Sequence, residues 1–143
     1  MAVLSAINPY ATRTGSAAEV AYAAAYVVNR FTPPDGWSRE LAVAVMATMA
    51  WRESRLNPSA VGPAACRKGD CHAFGAWQVE HRPDILNDSI GQAMFEYDLI
   101  RRSAKLCPAH PLAYVTSGDC KHTKVADQRL KEALDMLHAA GIQ

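Results

Sequence analysis

The sequence predicts a mainly α-helical domain with little or no sheet. Two observations carry that prediction. Four long stretches repeat apolar residues at the three-to-four-residue spacing of a helix face, each bounded by capping residues or by proline and glycine. The one extended candidate, Phe74 to Val79, is too short to anchor a large sheet.

Met1 to Gly15, with Pro9, Thr12 and Thr14, reads as an irregular arm. Ser16 followed by Glu19 has the spacing of a capping box and opens a helix to about Arg30, with Val20, Ala24, Val27 and Phe31 on one stripe. Thr32-Pro33-Pro34-Asp35-Gly36 breaks it. Ser38 caps a second helix, apolar from Leu41 to Trp51 and closing near Ser54 to Leu56; Asn57-Pro58 ends it because the residue before proline is pushed out of the helical region. Residues Ser59 to Cys71 form a loop, and Pro83 to Leu86 one helical turn. Ser89 with Gln92 suggests another capping box. The helix that follows runs to about Lys105 with Ile90, Ala93, Met94, Tyr97, Ile100 and Ala104 on its stripe. Leu112 to Thr116 is a short helix behind Pro111. A last helix runs from about Thr123 to Ala140 with Ala126, Leu130, Ala133, Leu134 and Leu137 inward and Gly141 as its stop.

A chain of 143 residues fits one domain able to bury most of its apolar surface. Half of it is hydrophobic, a fifth is charged, and the net charge of +1 exerts no global pull on nucleic acid or membrane. Between Arg101 and Lys131 the basic residues Arg101, Arg102, Lys105, Lys121, Lys124, Arg129 and Lys131 meet only Asp119 and Asp127. That run is a patch for an anionic polymer or, as the simpler reading, a solvated helix face. No stretch has the length of a membrane span, and Glu19 rather than a basic leader precedes the apolar run Val20 to Val28, so no signal peptide is expected.

The cysteines form two local pairs, Cys66 with Cys71 and Cys107 with Cys120. As disulfides they close one short and one medium loop and imply an oxidising compartment or a particle surface, with free buried thiols as an alternative. Cys107, His110, Cys120 and His122 also supply four zinc-type ligands, but the C-x-H spacing at the end is tight for a tetrahedral site. No cofactor is called for.

One residue is out of place. Ala42, Met46, Met49, Ala50 and Glu53 share one helix face, so the carboxyl of Glu53 continues an apolar stripe. Desolvation there would raise its pKa and keep it available as a general acid. Arg52 and Arg55 would oppose the shift, but on a helix they point about 100° and 200° away.

Three segments then line up: Glu53-Ser54-Arg55-Leu56-Asn57-Pro58-Ser59-Ala60-Val61-Gly62, Phe74-Gly75-Ala76-Trp77-Gln78-Val79, and Leu112-Ala113-Tyr114-Val115-Thr116-Ser117-Gly118. Together they resemble the lytic transglycosylase branch of the lysozyme superfamily. That branch carries an E-S-R-F/L-N-P-x-A-x-S motif with the catalytic acid, a G-L-M-Q motif lining the cleft, and an A-Y-N-A-G motif supplying a tyrosine. Ala76-Trp77 stands where the family has Leu-Met, and Val115-Thr116-Ser117 where it has Asn-Ala-Gly. The resemblance spans roughly Leu41 to Gly118; the first helix, the Cys66–Cys71 loop and the last helix lie outside it.

The resemblance implies a single lysozyme-like catalytic domain over residues 1–143, acting on the MurNAc–GlcNAc β-1,4 bond of peptidoglycan. Glu53 would protonate the glycosidic oxygen and then act as base toward the C6 hydroxyl, giving 1,6-anhydro ends without a second carboxylate. Ordinary glycosidases need such a partner; Asp70, Glu80, Asp84 and Asp88 are candidates, none singled out by a motif. Goose-type lysozymes share the fold but use water, so hydrolysis stays open. Ser54 would bind substrate or orient Glu53, against a plain capping role. Gln78 would meet an N-acetyl group, against a satisfied loop amide. Tyr114 would donate to Glu53, and Trp77 would stack on a sugar, each against core packing. The expected partner is the glycan strand. The expected setting is the periplasm, the cell wall or a phage particle, the last fitting an endolysin or a virion-carried lysin. A non-catalytic wall-binding module on the same scaffold is the alternative from a different class.

Overall fold

The structure is a computed structural model that describes residues 15–63 and 71–142. Among them are five α-helices: α1 (Gly15–Arg30), α2 (Arg39–Ser54), α3 (Ser89–Leu106), α4 (Ala113–Ser117) and α5 (Lys124–Ala139). Strands β1 (Val61–Gly62), β2 (Ala73–Phe74) and β3 (Val79–Glu80) form a small sheet, followed by a 3₁₀ turn at Pro83–Ile85. The fold is mainly α, as expected. The expected N-terminal arm lies outside the described residues apart from Gly15, which already belongs to α1.

α2 is the organising helix. Ser38 caps it by accepting from the Leu41 N–H at 3.1 Å. Ala42, Ala44, Val45, Met46, Ala47, Thr48, Met49 and Ala50 are all buried, so the helix is covered on most sides. Its alanines have little side chain to hold neighbours away. α1 packs on α2 and α3 through Val20, Ala23, Ala24, Val27 and Val28, while α5 packs on α2 through Ala126, Ala133 and Leu137.

α2 ends at Ser54, within the expected close between Ser54 and Leu56. Arg55 (φ 58°) and Leu56 (φ 63°) are left-handed, and their N–H groups return to Trp51 O at 3.0 Å and Ala50 O at 3.3 Å. Leu56 is buried, which fixes the exit path. Ser54 stitches this end down. It accepts from the Asn57 N–H at 3.0 Å and its hydroxyl lies 2.7 Å from Ala76 O and 3.2 Å from Ala50 O.

The expected loop after Ser59 contains β1, and the extended candidate Phe74 to Val79 spans the turn of a hairpin and the strand residues that flank it. β1 pairs antiparallel with β2 (Val61 opposite Phe74), and β2 with β3 (Phe74 opposite Val79). The β2–β3 turn is clamped from below by Gln92, which is fully buried. Its Oε1 accepts from the Ala76 N–H at 2.8 Å, and its Nε2 donates to Pro58 O at 3.0 Å and Ile85 O at 2.8 Å. Gly75, at φ 83°, lies so close that a Cβ there would fall 2.1 Å from the Gln92 amide carbon. Gln92 is thus no capping-box partner. Asp88, not Ser89, caps α3, accepting from the Gly91 N–H at 2.9 Å. Met94 on α3 and Leu134 on α5, both expected inside, are exposed.

α4 lies across α3 and α5. Ser103, buried in α3, accepts from the Val115 N–H at 3.1 Å and holds α4 in place. Cys107 and Cys120 form a disulfide that ties the end of α3 to the segment entering α5.

Candidate active site

Where α2, the hairpin, α3, α4 and α5 meet, they enclose a cleft of about 560 Å³. Met49 and Glu53 come from α2, and Trp77, Gln78, Val79 and Glu80 from the hairpin. Phe95, Glu96 and Leu99 come from α3, and Tyr114, Val115, Thr116 and Gly118 from α4 and its end. Val125 and Arg129 of α5 complete the lining. All three motif segments therefore reach one cavity.

Glu53 opens to solvent in the cleft, yet enough protein surrounds its carboxyl that desolvation raises its pKa, with Arg129 opposing the shift. The neighbouring arginines turn away, as the helix geometry requires. Arg52 donates to Glu132 from Nε at 3.1 Å and from Nη2, and the Arg55 guanidinium sits 4.6 Å from the centre of the Trp51 ring. Neither neutralises Glu53.

A second carboxyl faces the same space. Glu96 is 5% exposed, and among the described residues it has no hydrogen-bond or ion-pair partner. Burial, and secondarily the charge of Glu53, push its pKa up to about 8. Glu53, nearer to solvent and to Arg129, ionises first, so its charge acts on Glu96 rather than the reverse. Glu96 is not among the second carboxylates that the sequence offered as candidates. Glu80 lies on the same wall, exposed at the rim. Asp84 pairs with Arg82 at 2.9 Å and Asp88 is the α3 cap, while Asp70 lies outside the described residues.

The other expected site residues divide. Tyr114 lines the cleft and is exposed, but no hydrogen bond joins it to Glu53 among the described residues. Trp77 reaches the cleft wall but is 3% exposed, and its indole N–H donates to Met46 O at 2.8 Å. It is a packed wall rather than a stacking platform. Gln78 touches the cleft, yet its amide nitrogen donates to Gly75 O at 2.9 Å, and its Oε1 lies where a Cβ on Gly62 would be 2.0 Å away. Its amide is folded under the hairpin. Ser54 does not line the cleft; its hydroxyl is used by backbone groups.

Cys71 is disulfide-bonded, and Cys66, its expected partner, lies outside the described residues. The zinc alternative does not hold. Cys107 and Cys120 are bonded to each other, His110 contacts Asp127 at 2.8 Å and His122 contacts Asp119 at 2.7 Å. Backbone and side-chain hydrogen bonds from His122 hold Asp119 down to a pKa of about 2.

Sequence reasoning missed Glu96, Arg129 and Gln92. For Glu96 a signal existed: the positions three and four residues away on the helix are Gln92, Ala93, Leu99 and Ile100, so it has no cation within helical reach. No helix among the described residues is long and apolar enough to cross a membrane. No family model, no curated protein and no solved structure matches the chain.

Proposed function

We propose that this chain is a lysozyme-like peptidoglycan-cleaving domain that cuts the MurNAc–GlcNAc β-1,4 bond, with Glu53 as acid and then base. The observation that carries the reading is the placement of Glu53. A carboxyl at the open end of a buried apolar helix, its pKa raised by desolvation, lines a cavity of about 560 Å³, with room for sugar. Glu53 donates its proton to the glycosidic oxygen as the bond to C1 breaks. The substrate's C6 hydroxyl then attacks C1 and returns its proton to Glu53, leaving a 1,6-anhydro end. Tyr114 offers a hydroxyl along the same cavity for sugar contacts, whereas that of Thr116 donates to Leu112 O at 2.8 Å.

Hydrolysis is the second reading, favoured by Glu80. Its carboxyl on the exposed rim of the cleft gives a place to activate a water. Either chemistry acts on the glycan strand, and the Cys107–Cys120 disulfide supports a setting in the periplasm, the wall or a phage particle.

The test is turbidity loss of purified cell walls. Wild type clears them and Glu53→Gln does not. Equal clearing by both proteins removes Glu53 from the mechanism, and absence of clearing by wild type makes this a wall-binding module instead.

A further inference from the structure

We propose that Glu96 is the proton reserve of this site, a positioning residue whose carboxyl holds a proton that Glu53 passes to the substrate. The inference rests on the reading of Glu53 as the acid and deepens it.

Glu53, at the end of α2, and Glu96, on the second turn of α3, line one cavity from two helices that pack together. Glu96 is buried and, among the described residues, lacks a hydrogen-bond donor or a cation. A carboxylate in that position would be an unpaired buried charge, so the group stays neutral and keeps its proton. The groups that face it are few. α2 contributes Glu53, β3 contributes Glu80, α4 contributes Tyr114 and α5 contributes Arg129, while its own helix presents Phe95 and Leu99 there. α1 also packs on α3 but places no titratable group in the cavity. Arg129 is partly engaged, its Nη1 lying 3.7 Å from Glu132 Oε2.

Two interacting carboxyls facing one cleft lose their protons in separate steps that belong to the pair. Glu53, the more solvated, releases first; Glu96 then holds on up to about 8. A lone Glu53 would be increasingly ionised, and useless as an acid, as pH rises through its own pKa. The pair keeps one proton in the cleft well beyond that point. Transfer from Glu96 to Glu53 recharges the acid, Glu53 protonates the leaving oxygen, and the C6 hydroxyl proton restores the pair to one proton. No proton is gained or lost over the cycle.

Glu96→Gln keeps the shape and neutrality of the protonated side chain but has no proton to give. The measurement is the rate of wall clearing between pH 4.5 and 9 for wild type and Glu96→Gln. It is joined by a ¹³C NMR titration of the glutamate carboxyl carbons in the resting full chain. The expected result is equal rates at the acid end and a loss of about tenfold or more for the variant above neutral pH, its alkaline limb moving down. In the titration of wild type, Glu96 changes near pH 8, and the Glu53 signal bends at that same step; Glu96→Gln removes the bend. Superimposable rate profiles, a uniform loss at every pH, or a Glu96 that titrates like an ordinary glutamate would each overturn the reserve. Clearing with an unchanged profile leaves Glu53 in place and removes only Glu96. Absence of clearing by wild type at every pH removes the reading of Glu53 and the reserve's catalytic role with it, whereas the titration still reports whether the pair shares a proton.

Discussion

Two grooves of nearly equal size use charge in opposite ways. The cleft beside Glu53, about 560 Å³, sets its carboxyls among Met49, Trp77, Val79, Phe95 and Leu99. The other, about 570 Å³, lies between the segment Thr32 to Trp37 and the end of α3 and carries Arg101, Arg102, Lys105, Asp35 and Asp98. Its charges stand in water. Arg102 and Asp98 are 3.0 Å apart, but their side chains are 69% and 54% exposed, so the pair contributes little. The basic groove has more charged side chains, five against four; the acidic cleft has Glu53 and Glu96, whose pKa burial raises. Burial without a partner, rather than the number of charges, makes a groove chemically able.

That contrast can be broken at several points. The largest effect is expected at Glu53. Glu53→Gln should lower wall clearing by about 10²–10⁴-fold, the usual worth of a general acid, with little change in thermal stability. A matching loss of folded protein in circular dichroism would instead make Glu53 structural.

Glu96 comes next, through stability. Its folded pKa of about 8 lies above the unfolded value near 4.5, so between those values the folded state binds more protons. The stability held at acid pH therefore falls as pH rises from about 4.5 to about 8 and is flat beyond. The full span is on the order of 3–5 kcal/mol, and Glu96→Gln should flatten that slope. Urea midpoints for both proteins at pH 5, 7 and 9 check it. Parallel pH dependences would mean that Glu96 finds a partner.

Replacing both Cys107 and Cys120 by serine should cost about 2–3 kcal/mol, because the bridge closes a medium loop of the unfolded chain. The melting temperature should fall, and reductant should lower wild type by more than it lowers the variant, which keeps only the disulfide of Cys71. The smallest effect belongs to the basic groove. Arg101→Ala with Lys105→Ala should change unfolding free energy by no more than about 0.5 kcal/mol and leave wall clearing at moderate salt nearly unchanged. A large, salt-dependent loss of clearing would turn that groove into a binding surface for an anionic wall polymer.

The organising helix was legible in the sequence because its signals are local. Ser38 caps it, Ala42, Met46, Met49 and Ala50 follow the helical period, and Glu53 continues that stripe. The cleft's third wall was legible only as Ala113-Tyr114, a short segment whose place depends on Ser103 and on the Cys107–Cys120 bridge. What was not legible depends on packing between distant elements. Gln92 has the spacing of a capping-box residue but is consumed by Ala76, Pro58 and Ile85, groups that come near it only in the folded chain. Glu96 shows in the sequence only that it lacks a cation three or four residues away; its burial beside Glu53 appears only in the folded chain. Ser54, Gln78 and Trp77 sit in the expected segments, but their polar atoms serve the backbone of the hairpin and of α2, holding the cleft's shape. A motif identified which stretches meet; it did not identify which atoms are free.

The central claim is that Glu53 breaks a sugar–sugar bond in this cleft. Mass spectrometry of the muropeptides released from purified peptidoglycan tests it most directly. Wild type should release fragments with 1,6-anhydro ends, and Glu53→Gln should release none. Reducing ends would replace the intramolecular attack by water and bring Glu80 into the reaction. No fragments from wild type, or the same fragments from Glu53→Gln, would contradict the account.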